Sequence, residues 1–517
     1  MAKVSDRLFK ERKRPMDRNL SRRSFVATSV LAGISAALGL QGCAPEERQQ
    51  AAEGEAAGSS ETADAVIVGG GLAGMMAAIT LSDLKPEAKI ILLEQQDSLG
   101  GSLKLSDGYF VGFSKRYNES PADCASADEI ITMIDAAAND VERHGYAEEK
   151  GCLNSALQES YFSRTAEVIK ALMAMGVPFP DSIDVDVPYA AGAYATDIFA
   201  AAPEGSGGAF ADAVIKQLEK TSVDVRTDCQ ATALVAEGTT VTGIEIEQAG
   251  KTSAISSRAV LLATGGFAAN PDKISEHLPA FSKCNFLPNP GATGMAIDFT
   301  RQFNTPLVSD GVYGGMIADD DTIVVTACNF LVNEKGERFC DETENWYLIM
   351  WPLVQHTENS YAWCICDSDY VEQNEEETRP KIDAGSLVPF DTIEELCAAT
   401  GIDADALKAT IETYNADATA GRELPYGLPA EYAHKVERAP FYAEKATTYC
   451  FGTIKGLKID ENCQVVAGDG APITGLYAAG EVAAGNAYFG QYPAGGAGNS
   501  LASLAGHFAA IRLCDNL

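Results

Sequence analysis

The chain has 517 residues, room for two or three domains of about 150 residues, and its 46% hydrophobic and 22% charged residues are the balance of a folded protein. With 73 acidic against 39 basic residues, the formal charge of −34 excludes a nucleic-acid binder, which needs a basic face for phosphates. Thirteen cysteines are too sparse for a disulfide scaffold, and the five histidines form no HxxxH or CxxCH pattern, so zinc and c-type haem have no support.

Residues 1–43 run against the acidic trend, with nine Lys and Arg to three Asp and Glu. They contain Ser21-Arg22-Arg23-Ser24-Phe25 and then an apolar stretch from Val26 to Leu40. A basic start, paired arginines and a short apolar core predict export by the twin-arginine route, because about 15 mildly apolar residues fall short of the ~20 needed to span a bilayer. The stretch ends in Leu40-Gln41-Gly42-Cys43, which resembles a lipobox. Gln41 is not the usual small residue there, so lipidation at Cys43 and plain cleavage both stay open. Residues 44–62 lack apolar periodicity and read as a solvated tether.

A β-branched run from Ala63 to Val68 ends in Gly69-Gly70-Gly71-Leu72-Ala73-Gly74. A helical pattern follows to about Leu84, then a second strand, Lys89 to Leu93, closing on Glu94. Glycines at GxGxxG spacing supply the tight turn, the approach of a pyrophosphate and the close helix–strand packing. Phosphate then meets unpaired N–H groups at the helix start, and Glu94 stands where a carboxylate takes a ribose hydroxyl. The expected class is α/β, with a Rossmann-like dinucleotide-binding unit.

Three more glycine-bearing segments follow: Leu99-Gly100-Gly101-Ser102, Leu261-Leu262-Ala263-Thr264-Gly265-Gly266 and Gly475-Leu476-Tyr477-Ala478-Ala479-Gly480-Glu481. This ordered set resembles the flavoproteins of the fumarate reductase, succinate dehydrogenase, urocanate reductase and 3-ketosteroid dehydrogenase family. The resemblance implies FAD. Gly69, Gly71 and Gly74 would hold its pyrophosphate and Glu94 its adenosine ribose. Gly101 and Ser102 would lie near the pyrophosphate or flavin, and Thr264 and Gly265 close a further strand end on it. Ala231 would meet the adenine through its backbone and Glu481 the ribityl or ribose side. Asn499-Ser500-Leu501 would open the last helix toward the flavin. It also implies a Rossmann-like FAD-binding domain of the glutathione-reductase kind, its first part at 63–283 and its second at 440–517, interrupted by an α+β substrate cap at 284–439.

Within the cap, Pro290-Gly291-Ala292-Thr293-Gly294 and Leu331-Val332-Asn333-Glu334-Lys335-Gly336-Glu337-Arg338-Phe339 match the family's runs. Its charged groups are missing. No arginine occurs in 339–378, where the proton donor would fall near Trp346; Gly452 stands where a histidine is usual; and the arginine-bearing run before the last helix reads Gln491-Tyr492-Pro493-Ala494-Gly495-Gly496. A dicarboxylate buried there would lack its compensating charges, at a cost of several kcal/mol, unless Arg301, Arg379, Arg422 or Arg438 took over. Aromatic residues stand in their place: Trp346, Trp351, Trp363, Tyr347, Tyr361, Tyr488, Phe489 and Tyr492.

The Tyr492–Gly496 run resembles the ketosteroid dehydrogenase loop. There a tyrosine hydroxyl and a glycine N–H hold a ketone oxygen, an oxyanion hole for a developing enolate. Tyr492 and Gly496 are the corresponding pair. Tyr313 is the candidate for proton transfer at the α carbon and Tyr109 the reserve; Trp346, Tyr109 and Tyr488 are candidate substrate contacts. The expected activity is reduction of the C=C bond of an α,β-unsaturated carbonyl in a bulky apolar or aromatic compound. The acceptor is a small molecule, and electrons come from a separate membrane-linked donor, cytochrome or quinol. Three alternatives stand beside it: the same site run oxidatively as a ketosteroid-type dehydrogenase, a fumarate reductase with a relocated arginine, and a non-catalytic flavin carrier.

Overall fold

The computed structural model describes residues 61–120, 123–146, 152–183, 198–318, 330–344 and 346–517. The predicted signal, the Cys43 lipobox and the tether (but for its last two residues) lie outside them.

The first elements fall where the sequence puts them. Glu61–Val68 and Ile90–Leu93 are strands and Leu72–Leu84 the helix between them. That helix is apolar all round (LAGMMAAITLSDL), so it is buried on every side rather than laid over a surface. The last helix, Ala497–Cys514, crosses it so closely that a Cβ on Gly506 would lie 2.2 Å from the Ala73 carbonyl oxygen.

Five strands form a parallel array in the order Asp224–Arg226, Ile90–Leu93, Glu61–Val68, Lys251–Leu262, Pro472–Ala478. Lys251–Leu262 serves two neighbours on one edge. Its first half makes an antiparallel hairpin with Thr240–Gln248, and its second half runs parallel to Pro472–Ala478. Register then fixes what matters for function. Val68 pairs with both Leu93 and Leu262, and Leu262 with Ala478. Four strands therefore end at one level, and the residues after them, Gly69, Glu94, Ala263 and Ala479, emerge together at the carboxyl edge where α/β sheets bind nucleotides.

A second, antiparallel sheet lies in order Val312–Ala318, Phe441–Thr453, Tyr361–Asp367, Phe330–Val332, with Leu387–Phe390 also on Phe441–Thr453. The sequence reading returned the chain to the FAD-binding part at 440. Instead, Phe441–Thr453 is the central strand of the second sheet, and the chain leaves that sheet only after Thr453. Short helices and strands do surround this sheet, as an α+β cap requires. Among the described residues, no helix is long and apolar enough to cross a membrane.

Candidate active site

The three fingerprint glycines differ in what forbids a side chain. A Cβ on Gly69, whose φ is +109°, would sit 2.3 Å from the Ala263 carbonyl oxygen, and one on Gly74 would sit 1.9 Å from that of Gly69. The fold itself excludes both. Gly71 has an ordinary φ of −72°, and its Cβ would meet nothing within 4 Å. It caps the Leu72–Leu84 helix with no side-chain hydrogen bond, so the first N–H groups of that helix face this open space. A pyrophosphate fits there. Gly101, at φ +49°, closes the other side, its Cβ position 3.3 Å from the Gly71 Cα, and Ser102 beside it is exposed.

Glu94 is buried, and its carboxylate accepts the Gly70 N–H at 2.7 Å and the Gln96 N–H at 2.8 Å. Those bonds fix it at the strand end with lone pairs left for ribose hydroxyls. The Cys229 N–H donates to the Glu94 carbonyl at 2.9 Å, which brings Cys229–Glu237 alongside. Ala231 is buried on that strand, and a register shift follows between it and Ala233, where backbone groups leave the ladder. At the third strand end the Thr264 hydroxyl is buried with no partner, and Gly265 takes φ +71°. An orphaned hydroxyl, a glycine cradle without side chains and a fixed carboxylate along one sheet edge suit a dinucleotide.

Glu481 lies beyond the fourth strand end. Its Oε1 accepts the Thr453 N–H at 2.9 Å, and a Cβ on Gly266 would lie 2.2 Å from that oxygen. Burial pushes its carboxyl up to about 7, against a usual 4.5. The folded protein therefore keeps this proton where the unfolded chain has lost it. The associated stability is complete below pH 4.5 and is lost as pH rises through about 7. For FAD-free protein, stability should fall by up to about 3 kcal/mol across that window. Glu481→Gln should flatten the fall, measured by denaturant melts at either end; equal slopes in both proteins would exclude Glu481 as the cause.

The last helix begins at Gly496 (φ +85°), whose Cβ position is 2.8 Å from the Tyr109 carbonyl carbon. The Asn499 amide donates to the Tyr109 carbonyl at 2.8 Å, and the Ser500 hydroxyl accepts the Val111 N–H at 2.8 Å. The sequence reading placed Asn499 and Ser500 at the flavin. Their side chains hold the 109–111 segment against the helix, and Leu501 is buried behind them, so what this terminus offers a cofactor is its backbone N–H groups.

Four aromatic rings meet in front of that terminus. The Tyr492 ring lies 5.1 Å from Tyr313, 5.0 Å from Tyr347 and 5.7 Å from Phe451, each edge-to-face. Its hydroxyl accepts the Gly498 N–H at 3.2 Å and keeps its own proton to donate. Burial pushes the phenol up to about 12, and the amides of Gly498, Gly496 and Ala497 oppose that rise. The Tyr313 hydroxyl is buried without a partner, and burial holds it well above the usual tyrosine value.

The missing histidine has a steric reason. A Cβ on Gly452 would lie 2.7 Å from Tyr313 Cδ2 and 2.8 Å from Glu481 Oε1. Tyr313 has taken the space.

The other sequence candidates fall on both sides. Tyr488 is buried with its hydroxyl donating to the Ala497 carbonyl at 3.0 Å, which makes it a support for the helix start. Tyr109 is half-buried beside Gly496. Trp346 opens the helix Trp346–His356, and its side chain lies outside the described residues. Trp351 donates to the Gly490 carbonyl at 2.8 Å and packs on Phe281 and Tyr146. Sequence reasoning named Tyr347 among the aromatics that replace the arginines without giving it a role, and it missed Phe451 as a member of the site. Their signal was the neighbouring glycines: Gly315 leaves the Tyr347 ring 3.5 Å from its Cβ position, and Gly452 directly follows Phe451.

None of the four arginines free to replace the missing ones does so. Arg301 pairs with Asp298, Arg379 with Asp383, Arg422 with Asp417 and Arg438 with Glu372, all at the surface. Arg338 is buried but bound to Glu342.

Residues 64–501 match the family model described as FAD binding domain. The vinyl phenol reductase of Lactiplantibacillus plantarum is 28% identical, over 82% of this chain and 90% of its own. The NADH:acrylate oxidoreductase of Vibrio harveyi is 27% identical over 88% of this chain, which spans about half (51%) of that longer protein. The crystal structure of 3-ketosteroid-Δ4-(5α)-dehydrogenase from Rhodococcus jostii aligns with a TM-score of 0.69 at 25% identity, over 88% of this chain and 97% of that one. Glycine cradle, converging strand ends and family match agree: the chain belongs to the FAD binding domain family and is an FAD-dependent oxidoreductase.

Proposed function

We propose that this enzyme reduces the C=C bond of an α,β-unsaturated carbonyl, or of an equally conjugated system, in an uncharged, bulky apolar or aromatic compound. The observation that carries the reading is the four-ring cluster at the start of the last helix, together with the surface pairing of Arg301, Arg379, Arg422 and Arg438, which leaves none of these four to the cluster. A carboxylate brought there would stay unpaired, at a cost of several kcal/mol, and a chain of formal charge −34 repels anions on approach. A flat neutral compound gains edge-to-face contacts instead. A vinyl phenol, the compound in the name of the Lactiplantibacillus relative, meets these demands, since its oxygen can take the place of the carbonyl.

Bound FAD would supply the hydride to the β carbon. The Tyr492 hydroxyl, held from behind by the Gly498 N–H, donates its proton's hydrogen bond to the substrate oxygen, and the Gly496 N–H is the second donor. These dipoles are set before charge develops on that oxygen, which is the condition for lowering the barrier. Tyr313, with a hydroxyl that no protein group satisfies, hands a proton to the α carbon. The reading also takes the enzyme as exported through the arginine pair at Arg22-Arg23, lipid-anchored or cleaved at Cys43, and fed by a membrane-linked cytochrome or quinol.

The test is to reduce the purified flavoprotein chemically without air, add one acceptor at a time and follow return of the oxidised spectrum. Neutral enones and 4-vinylphenol should reoxidise it at a catalytic rate, and fumarate and acrylate should not. Reoxidation by the carboxylates alone would overturn the substrate class. Reoxidation only by protein partners would favour a carrier, and flavin reduction by a saturated ketone would favour the dehydrogenase direction.

A further inference from the structure

Two cysteines that the redox chemistry above does not use face each other. Phe286 and Cys450 form a parallel bridge: the Cys450 N–H donates to the Asn285 carbonyl at 2.9 Å and the Leu287 N–H to the Cys450 carbonyl at 2.7 Å. Cys284 is thereby brought against the strand Phe441–Thr453. Thr448, two residues before Cys450 on that strand, accepts the Asn285 N–H at 2.7 Å, which ties the residue after Cys284 to the same stretch, and interaction with Cys450, Ser360 and Thr448 lowers the Cys284 thiol against the effect of burial. Gly314 leaves room for the second sulfur, its Cβ position lying 3.1 Å from Cys450 Sγ. Both thiols are free; Cys450 is fully buried and Cys284 only partly, among the exposed residues Lys283, Asn285 and Leu287.

We infer that Cys284 and Cys450 are a redox-convertible pair, closed into an internal disulfide by a small-molecule disulfide that approaches from the Cys284 side. The Cys284 thiolate displaces one thiolate from the donor and forms a mixed disulfide. The Cys450 sulfur then attacks Cys284 Sγ and releases the second. Two cysteine thiols lose two electrons, and the donor leaves as two thiols carrying the two protons. Reactivity agrees with this order. Interaction with Cys450, Ser360 and Thr448 holds the Cys284 thiol below its usual value, whereas burial pushes Cys450 up. By contrast, no second thiol influences Cys124, Cys229, Cys397 or Cys463.

The experiment is independent of the substrate. Reduced holoenzyme is incubated with oxidised glutathione, alkylated, digested and mapped by mass spectrometry. The wild type should yield a peptide pair linked through Cys284 and Cys450 with no glutathione retained. Cys450→Ala should trap glutathione on Cys284, and Cys284→Ala should leave Cys450 as an unmodified thiol. Alkylation of both cysteines in the wild type, or glutathione left on wild-type Cys284, would overturn the pair. The wild-type peptides decide the matter even if a variant fails to fold.

Discussion

Replacing Tyr492 by Phe should slow turnover by about 10²–10³-fold, the range for losing one donor to an oxygen that gains charge in the transition state. The change removes one oxygen from a ring whose other contacts, to Tyr313, Tyr347 and Phe451, are made by carbon. Those contacts persist, so the ring should stay in place. The lost hydroxyl leaves the Gly498 N–H without its acceptor, a penalty of about 1–3 kcal/mol in stability. The readout is kcat with whichever acceptor reoxidises the flavin in the acceptor screen above, beside flavin content and melting temperature. Full flavin loading with a collapsed kcat supports the role. An unchanged kcat would remove Tyr492 from the chemistry.

Gly71→Asp should empty the protein of flavin while leaving it folded. Its backbone already has the φ of a helix cap, its Cβ enters open space, and Asp is among the best residues at that position. The apo helix should gain stability, by about 0.5–2 kcal/mol. The same carboxylate occupies and charges the place where phosphate meets the first N–H groups. Losing two charge-assisted hydrogen bonds, about 1.5–3 kcal/mol each, lowers FAD affinity by roughly 10²–10⁴-fold. Flavin stoichiometry after desalting and a thermal melt of the apo form measure both sides. Gly74→Ala is the contrast: its Cβ would strike the Gly69 carbonyl, so fold and flavin should be lost together.

The nucleotide half was legible because its signals are local. Strand, glycines, helix, second strand and acid lie within 63–94, and the parallel sheet with its FAD-binding family followed from them. The four-ring cluster was not, because its members are joined only by long-range pairing. Tyr313 faces Gly452 across two strands 139 positions apart in sequence, in the register of the second sheet. A glycine where histidine was expected therefore looked like a loss, when it is the seat of a tyrosine. The boundary at 440 moved for a related reason: the strand after Pro440 pairs with Tyr361–Asp367, far back in the sequence, and so belongs to the sheet before it. The roles of Asn499 and Ser500 shifted because hydrogen bonds to Tyr109 and Val111 cannot be read from either segment alone.

The strand Phe441–Thr453 carries Cys450 and Phe451 side by side, with Gly452 and Thr453 after them. Neighbouring residues there serve opposite faces of one sheet, so an inserted or deleted codon anywhere upstream within the strand would swap them, turning the sulfur toward the rings and the ring toward the sulfur's partner. This stretch is thus open to evolution by replacement but closed to changes in length. Differences in length between homologues are therefore expected in the connections outside it, while replacements such as glycine for histidine at 452 can arise within it.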